Sequence, residues 1–262
     1  MGAMVNASDR VRAILVAVFA VTQVLSAPTT SALLGPSADQ GPISDANLSP
    51  VTPAGWAFTI WGLIYLGSLV LAVYQLLPGQ PERRVHRRTG WWLAGAFAAS
   101  TVWVPIFGTR EIWVSQVVIV MLVVCLLFAT VGFSRSGPAA GAAEQFAFRL
   151  PITVYLGWAT LACFAGFGTT FRSLGMPQDA GWASDLGVAL VLSATIASLF
   201  VIGRLSAVAG FVFAACWALV AVAVATYTNE VRLAAVLALV VLLAVLFGRT
   251  IRSDARRTIL LG

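Results

Sequence analysis

The sequence predicts an all-helical membrane protein, a polytopic bundle of about eight transmembrane helices. Of its 262 residues, 60% are hydrophobic and 10% are charged, whereas soluble domains carry about 25% charged residues. Apolar runs of roughly 20 residues, the length that spans a bilayer as a helix, recur along the chain. The runs are continuous rather than alternating, which favours helices over a β-barrel.

Eight apolar runs define the predicted spans, to within a few residues at each end. They cover residues 11–34, 53–77, 90–108, 111–133, 151–172, 185–203, 206–227 and 230–248. The connections at Thr109-Arg110 and at Arg204 are so short that the spans they join must be antiparallel neighbours.

The connecting segments alternate in charge. Counted on alternate sides of the membrane, 13 arginines lie on the side of the amino terminus and 3 on the other. Cytoplasmic loops are enriched in basic residues, so both termini are predicted to be cytoplasmic. The absence of lysine and the abundance of Ala, Gly and Val indicate a GC-rich bacterial genome, and hence the bacterial inner membrane. A cleaved signal peptide is the alternative for the first span, although Pro28 after Ser26-Ala27 disfavours cleavage.

The spans lack the residues that most membrane chemistry needs. No Asp, Glu, Lys, Arg or His lies near the middle of a span, and such residues usually mark ion paths and embedded catalysis. We therefore assign no catalytic and no metal-binding residue. His86 is interpreted as a solvated loop residue, and Cys125, Cys163 and Cys216 as buried small hydrophobic residues. The positive charge is explained by topology, so no nucleic-acid partner is expected.

Three spans each present a stripe of aromatic residues with small or hydroxylated companions. In the second span, Phe58, Trp61 and Tyr65 are spaced i, i+3, i+7 and share one helix face. Pro53 suits the first turn of that helix, and Trp56 lies near its mouth. The corresponding residues of the third and fifth spans are Ser100, Trp103 and Phe107, and Tyr155, Trp158 and Ala162.

Converging stripes would enclose an apolar cavity with flat walls and a few hydrogen-bonding groups. Such a cavity suits a planar aromatic or sterol-like ligand. Simple packing between helices is the alternative, and the spacing alone slightly favours it. Both interpretations therefore stay open on the residues themselves.

The motifs resemble a known family. The run Pro53-x-x-Trp56-x-Phe58-x-x-Trp61-x-x-x-Tyr65 resembles the second helix of the translocator protein family, the tryptophan-rich sensory proteins (TspO/MBR). Trp103-Val104-Pro105-Ile106-Phe107, and Tyr155-Leu156-Gly157-Trp158 followed by Ala162, are similar to its third-helix and fifth-helix motifs. The resemblance covers about residues 10–172. It implies a five-helix core at residues 1–172, extended by three helices and a basic cytoplasmic tail at residues 173–262.

The resemblance also implies a ligand pocket beneath a lid formed by the first loop, residues 35–52. The residues carried over to this pocket are Trp56, Phe58, Trp61, Trp103, Phe107, Tyr155, Trp158 and Ala162. Family ligands are tetrapyrroles, such as porphyrins and haem, and sterols, and no cofactor is expected to be required. The implied partners are the lipid bilayer, the hydrophobic ligand and a second copy of the chain in a homodimer. The family usually has asparagine where Ser100 and Gly166 stand, so the polar contacts to the ligand stay open.

The leading prediction is therefore a membrane receptor or carrier of a planar hydrophobic ligand, with a sensory or transport role. One alternative, less favoured, is a membrane enzyme that acts on a pigment or lipid. Light-dependent porphyrin degradation would be an example, because it needs only tryptophan and light. Another alternative is an assembly partner in a larger membrane complex, which the alanine-rich last three spans would suit through close packing.

Overall fold

The computed structural model describes residues 6–179 and 181–262, and these residues are mostly helical, with no strand among them. The long helices are α1 (Ala7–Leu34), α3 (Ile60–Leu76), α4 (Arg84–Gly108), α5 (Ile112–Ser134), α7 (Leu150–Ser173), α8 (Gly181–Arg204), α9 (Ala209–Ala225) and α10 (Asn229–Ile251). The short helices are α2 (Gln40–Ala46), α6 (Ala142–Glu144) and α11 (Arg256–Leu261). The predicted core at residues 1–172 includes residues 1–5, and the predicted extension at residues 173–262 includes residue 180. These six residues lie outside the described part of the chain.

Within residues 6–179 and 181–262, seven helical segments are long and apolar enough to cross a membrane, judged by length and composition. Two of them include irregular turns. A 3-10 turn at Gly55–Thr59 leads into α3, and a π turn at Gln145–Arg149 joins α6 to α7. The seventh predicted span, residues 206–227, corresponds to α9, an apolar helix of 17 residues, which is at the lower end of the length that spans a bilayer. The prediction of a multi-pass helical membrane protein is thus confirmed.

Two spans begin well before their predicted starts. Helix α4 starts at Arg84 rather than at residue 90, so most of the arginine-rich segment is helical and not a loop. The fifth span starts at Ala142 rather than at residue 151, because the π turn continues the helix without a break. In both cases charged residues extend the helix beyond the apolar run that marks it in the sequence.

The expectation that Pro53 occupies the first turn of a helix is wrong. Pro53 lies before the 3-10 turn, in a segment without regular structure. The neighbouring Ala54 N–H donates a 3.1 Å hydrogen bond to the carbonyl of Ala221 in α9. The backbone of Ala54 is extended, with ψ at 141°, so the helical turn begins only at Gly55.

Helix α7 lies at the centre of the bundle and packs against α3, α5, α8 and α9. Its approach to α9 is especially close at Gly157. A Cβ atom on Gly157 would lie 2.3 Å from the carbonyl oxygen of Phe211. Small residues permit such close contact between membrane helices. The late helix α9 is therefore packed directly on the helix that carries the third aromatic stripe.

Two buried carboxylates tie together the ends of α1, α4 and α7 that are predicted to face the cytoplasm. Asp9 and Glu144 are each 2% exposed, and each binds two arginines. Several arginines that the sequence presents as topology determinants are therefore also structural partners. The ion pairs are Asp9–Arg12 at 2.8 Å, Asp9–Arg87 at 2.5 Å, Glu144–Arg149 at 2.6 Å and Glu144–Arg83 at 2.5 Å.

The interpretation of His86 as a solvated loop residue is wrong, because its side chain is only 1% exposed. It lies in the first turn of α4, and its ring packs edge-on against Phe148 with the centroids 4.5 Å apart. Its Nε2 atom lies 3.1 Å from the side-chain oxygen of Gln80. The early start of α4 places this residue against the π turn that precedes α7. No group of His, Cys, Asp and Glu suited to a metal ion occurs within the described residues.

Candidate functional site

The three aromatic stripes converge on Trp61, whose side chain is 6% exposed. Its ring stacks on Tyr65 with a centroid distance of 5.4 Å and lies 5.7 Å from Trp103 of α4. Tyr155 and Trp158 of α7 meet it edge-on at 5.8 and 6.2 Å. Helices α3, α4 and α7 therefore bring together residues that are far apart in the sequence. These distances are typical of favourable aromatic pairs.

A cavity of about 50 Å³ lies beside this cluster, bounded by α3, α4, α5 and α7 and roofed by α2. We refer to it as the aromatic cavity. Residues Ser115, Gln116 and Thr169 add polar groups to its wall. The predicted site residues that line it are Pro53, Phe58, Trp61, Trp103, Phe107, Trp158 and Ala162.

The other four predicted site residues do not line the aromatic cavity. Trp56 is 42% exposed and packs edge-on against Trp217 of α9, 4.8 Å away. Tyr65 and Tyr155 pack against Trp61 outside the cavity lining, and Ser100 is fully buried next to their hydroxyl groups. These three polar side chains therefore pack around Trp61 and do not line the cavity.

Gln116 of α5 is a site residue that the sequence analysis missed. Its side-chain nitrogen donates a 3.0 Å hydrogen bond to the carbonyl of Cys163 in α7. Gly166 makes room for it, because a Cβ atom there would lie 2.3 Å from the amide oxygen of Gln116. The resemblance places an asparagine at position 166, and here a glutamine from the neighbouring helix fills that space. The sequence signal for this residue is a lone amide inside an otherwise apolar span.

The first loop covers the aromatic cavity, where the resemblance places a lid. Gln40 and Ser44 of α2 line the roof. Further along, Ser49 and Val51 press directly on α7 at Gly168, where a Cβ atom would lie 2.5 and 2.7 Å from their side chains. The first loop therefore packs directly on the helix bundle. Its contact with α7 is possible because residue 168 is glycine.

Two hydrogen-bond donors of the wall have no partner. The indole N–H groups of Trp61 and Trp158 are buried, and neither finds an acceptor among residues 6–179 and 181–262. An unpaired buried donor costs about 1–3 kcal/mol relative to a paired one. Both tryptophans line the aromatic cavity, so both N–H groups are candidates to bind an acceptor on a ligand.

Among the described residues, those that line the aromatic cavity include no Asp, Glu, Arg or His. Its chemistry consists of aromatic faces, aliphatic groups and a few neutral donors and acceptors. Such a wall can bind a ligand by stacking, by apolar burial and by hydrogen bonds. A membrane helix bundle with a buried aromatic cluster and a lidded, uncharged cavity has the features of a membrane ligand-binding protein.

The chain belongs to the TSPO-like protein family, whose family model matches residues 12–248. The family expected from the motifs is thereby confirmed. The matched range includes the last three long helices as well as the helices of the aromatic cluster. No curated protein and no solved structure matches the chain significantly.

Proposed function

We propose that the protein is a receptor or carrier that binds a planar hydrophobic ligand in the aromatic cavity. The ligand would be a tetrapyrrole, such as a porphyrin or haem, or a sterol-like lipid. The observation that carries this proposal is the convergence of three stripes on Trp61 beside a lidded cavity. Simple helix packing would account for the ring contacts, but it leaves the unpaired N–H groups of Trp61 and Trp158 unexplained.

The wall of the aromatic cavity carries aromatic faces and hydrogen-bonding groups that suit such a ligand. Trp103 and Phe107 are stacked with their centroids 5.2 Å apart, and their faces suit a flat conjugated ring. Carbonyl or carboxylate oxygens on the ligand would accept hydrogen bonds from Trp61 and Trp158. The amide of Gln116 adds a neutral polar contact. Binding in this form requires no metal and no cofactor.

The lid would have to move for a ligand of this size to enter. The aromatic cavity measures about 50 Å³, whereas pockets for drug-sized ligands measure about 300–1,000 Å³. The roof at Gln40 and Ser44 and the contact of Ser49 with α7 are the parts that would separate. Ligand binding would then change the outer surface of the protein, as a sensory or transport role requires.

We also propose a location and an assembly. Both termini would face the cytoplasm of a bacterial cell, with the protein in the inner membrane as a homodimer. The distribution of 13 and 3 arginines supports this orientation. Residues 1–172 would form the ligand-binding core, and residues 173–262 would support it. The partners would be lipids and the hydrophobic ligand, without nucleic acid.

The proposal is tested by titrating the detergent-solubilised protein with protoporphyrin IX and with haemin in the dark, while tryptophan fluorescence is followed. We expect saturable quenching at micromolar ligand. Trp158→Phe keeps an aromatic ring but removes one N–H donor, so it should weaken binding about 2–10-fold. Trp113→Phe is the control, because Trp113 is 57% exposed and lies outside the cavity.

Two results would contradict the proposal. One is the absence of saturable quenching by either ligand. The other is identical affinity in Trp158→Phe and in the control variant. Repeating the titration under light separates binding from an enzymatic role, since light-dependent loss of porphyrin would favour a pigment-degrading activity instead.

A further inference from the structure

A second cavity, of about 30 Å³, adjoins the aromatic cavity between α7, α8 and α9. We call it the alanine chamber, after four of its lining residues, Ala162, Ala165, Ala194 and Ala218. Trp158 lines both cavities, and so do Pro53, Ala162 and Ala165. The two spaces therefore share a wall, and a change in that wall would join them.

The two cavities differ in chemistry. The aromatic cavity includes side chains that can form hydrogen bonds, among them Gln116 and Thr169. The described residues that line the alanine chamber are all aliphatic or aromatic, with Leu190 and Val191 from α8 and Leu219 from α9. Water needs two to four polar partners to occupy a cavity stably. The chamber therefore suits a hydrocarbon group and disfavours water.

We propose that the natural ligand carries an aliphatic arm and that the alanine chamber receives this arm while the ring occupies the aromatic cavity. This inference rests on the proposed function, because it assigns the second part of the same ligand. Alanine walls leave space for a narrow, flexible chain and too little for a flat ring. The ligand class is thus a conjugated ring compound with an aliphatic substituent.

The chamber also gives the late helices a role in the site. Helices α8 and α9 supply Leu190, Val191, Ala194, Ala218 and Leu219 to its wall. Without these helices that side of α7 would face lipid, and an arm would gain nothing by leaving the bilayer for the protein. The enclosed chamber instead fixes the length and the direction of the arm.

The same lid segment closes both spaces. Val51 lines the alanine chamber, and Pro53 lines both cavities. Val51 also contacts α7 at Gly168. One movement of residues 49–53 would therefore admit the ring and the arm together.

The test compares two ligands with one ring, 2-methyl-1,4-naphthoquinone and its 3-prenyl derivative, by quenching of tryptophan fluorescence at fixed detergent concentration. Each buried methylene strengthens binding about fourfold, so the prenyl arm should raise affinity about tenfold or more. In Ala218→Leu the added side chain fills the chamber, and this advantage should fall to about one. Ala189→Leu is the matched control on α8, because Ala189 is exposed and outside both cavities.

The control variant also corrects for partition of the prenyl arm into micelles, since the detergent is the same. Ala194→Val makes a smaller change in the same chamber, and a partial loss of the advantage there supports the inference if Ala218→Leu does not fold. Ring binding with an equal prenyl advantage in both chamber variants and in the control would overturn the inference and leave the proposed function standing. Failure of both naphthoquinones and of protoporphyrin IX to bind would overturn both.

Discussion

The indole N–H of Trp217 in α9 donates a 3.0 Å hydrogen bond to the carbonyl oxygen of Ala57, in the turn that leads into α3. The ring of Trp56 packs edge-on against the same indole. A backbone bond from Ala54 to Ala221 joins the two segments a second time. Helix α9 therefore holds residues 54–57, which we call the rim of the aromatic cavity. The residues of α9 that hold this rim lie about 160 positions later in the chain.

Trp217→Phe should loosen this rim. Phenylalanine keeps much of the contact with Trp56 but cannot donate to the carbonyl of Ala57. We expect protoporphyrin IX to bind up to about 10-fold more weakly, because the rim loses a hydrogen bond, worth about 0.5–1.5 kcal/mol, that holds it in the binding geometry. Quenching titrations measure it, with Trp182→Phe as the control at a half-exposed site on α8. Equal affinities in the two variants would show that the bond does not position the cavity.

Gly168→Ala should open the lid. The new methyl group would lie 2.5 Å from the hydroxyl of Ser49 and 2.7 Å from Val51, so the loop must move away from α7. We expect faster hydrogen exchange at residues 47–52 and faster ligand association. Gly62→Ala is the control, because nothing lies within 4 Å of its Cβ position. Unchanged exchange in Gly168→Ala would mean that the loop adapts without leaving the bundle.

Gly157→Ala should weaken the packing of α7 on α9. The added Cβ atom would lie 2.3 Å from the carbonyl oxygen and 2.9 Å from the Cα atom of Phe211, and neither backbone atom can rotate away. Overpacking of this kind costs about 1–3 kcal/mol. Thermal unfolding in detergent measures the loss, with Gly203→Ala as a control in open space. A transition temperature equal to that of the control would contradict the close approach.

Glu144→Gln should destabilise the end of the bundle that is predicted to be cytoplasmic. Glu144 is 2% exposed and binds both Arg149 and Arg83. Neutralising it leaves the guanidinium of Arg149, which is 1% exposed, without its counter-ion. Removing one partner of a buried pair costs about 3–5 kcal/mol. Thermal unfolding should show this loss, whereas the exposed Asp254→Asn should unfold like the unchanged protein.

Gly166→Asn and Gln116→Ala should compensate each other. Asparagine alone at position 166 would collide with the amide of Gln116, because even a Cβ atom lies 2.3 Å from its oxygen. Removing that amide frees the space, so the double variant should be more stable than the sum of the single changes allows. A double-mutant cycle on thermal stability measures the coupling. Strict additivity would show that the two residues do not share the space.

Much of the fold follows from local features of the sequence. Apolar runs of bilayer length predicted the helices, and the i, i+3, i+7 spacing predicted that Phe58, Trp61 and Tyr65 share a face. Seven helical segments of spanning length and the short helix α9 confirm the fold class. The errors at Pro53 and His86 have one cause: a neighbouring helix, rather than the local sequence, decides where a helix begins and whether its first turn is buried.

By itself, the sequence determined the class of protein, the approximate spans and the aromatic stripes, because each depends on hydrophobicity and spacing within one segment. Only the tertiary structure decided that Gln116 fills the space left by Gly166, that Trp217 holds the rim, and that α8 and α9 enclose a second chamber. These relationships depend on the rotation and height of one helix against another. Close contacts such as Gly157 on Phe211 set that geometry, and no periodicity within a single helix encodes it.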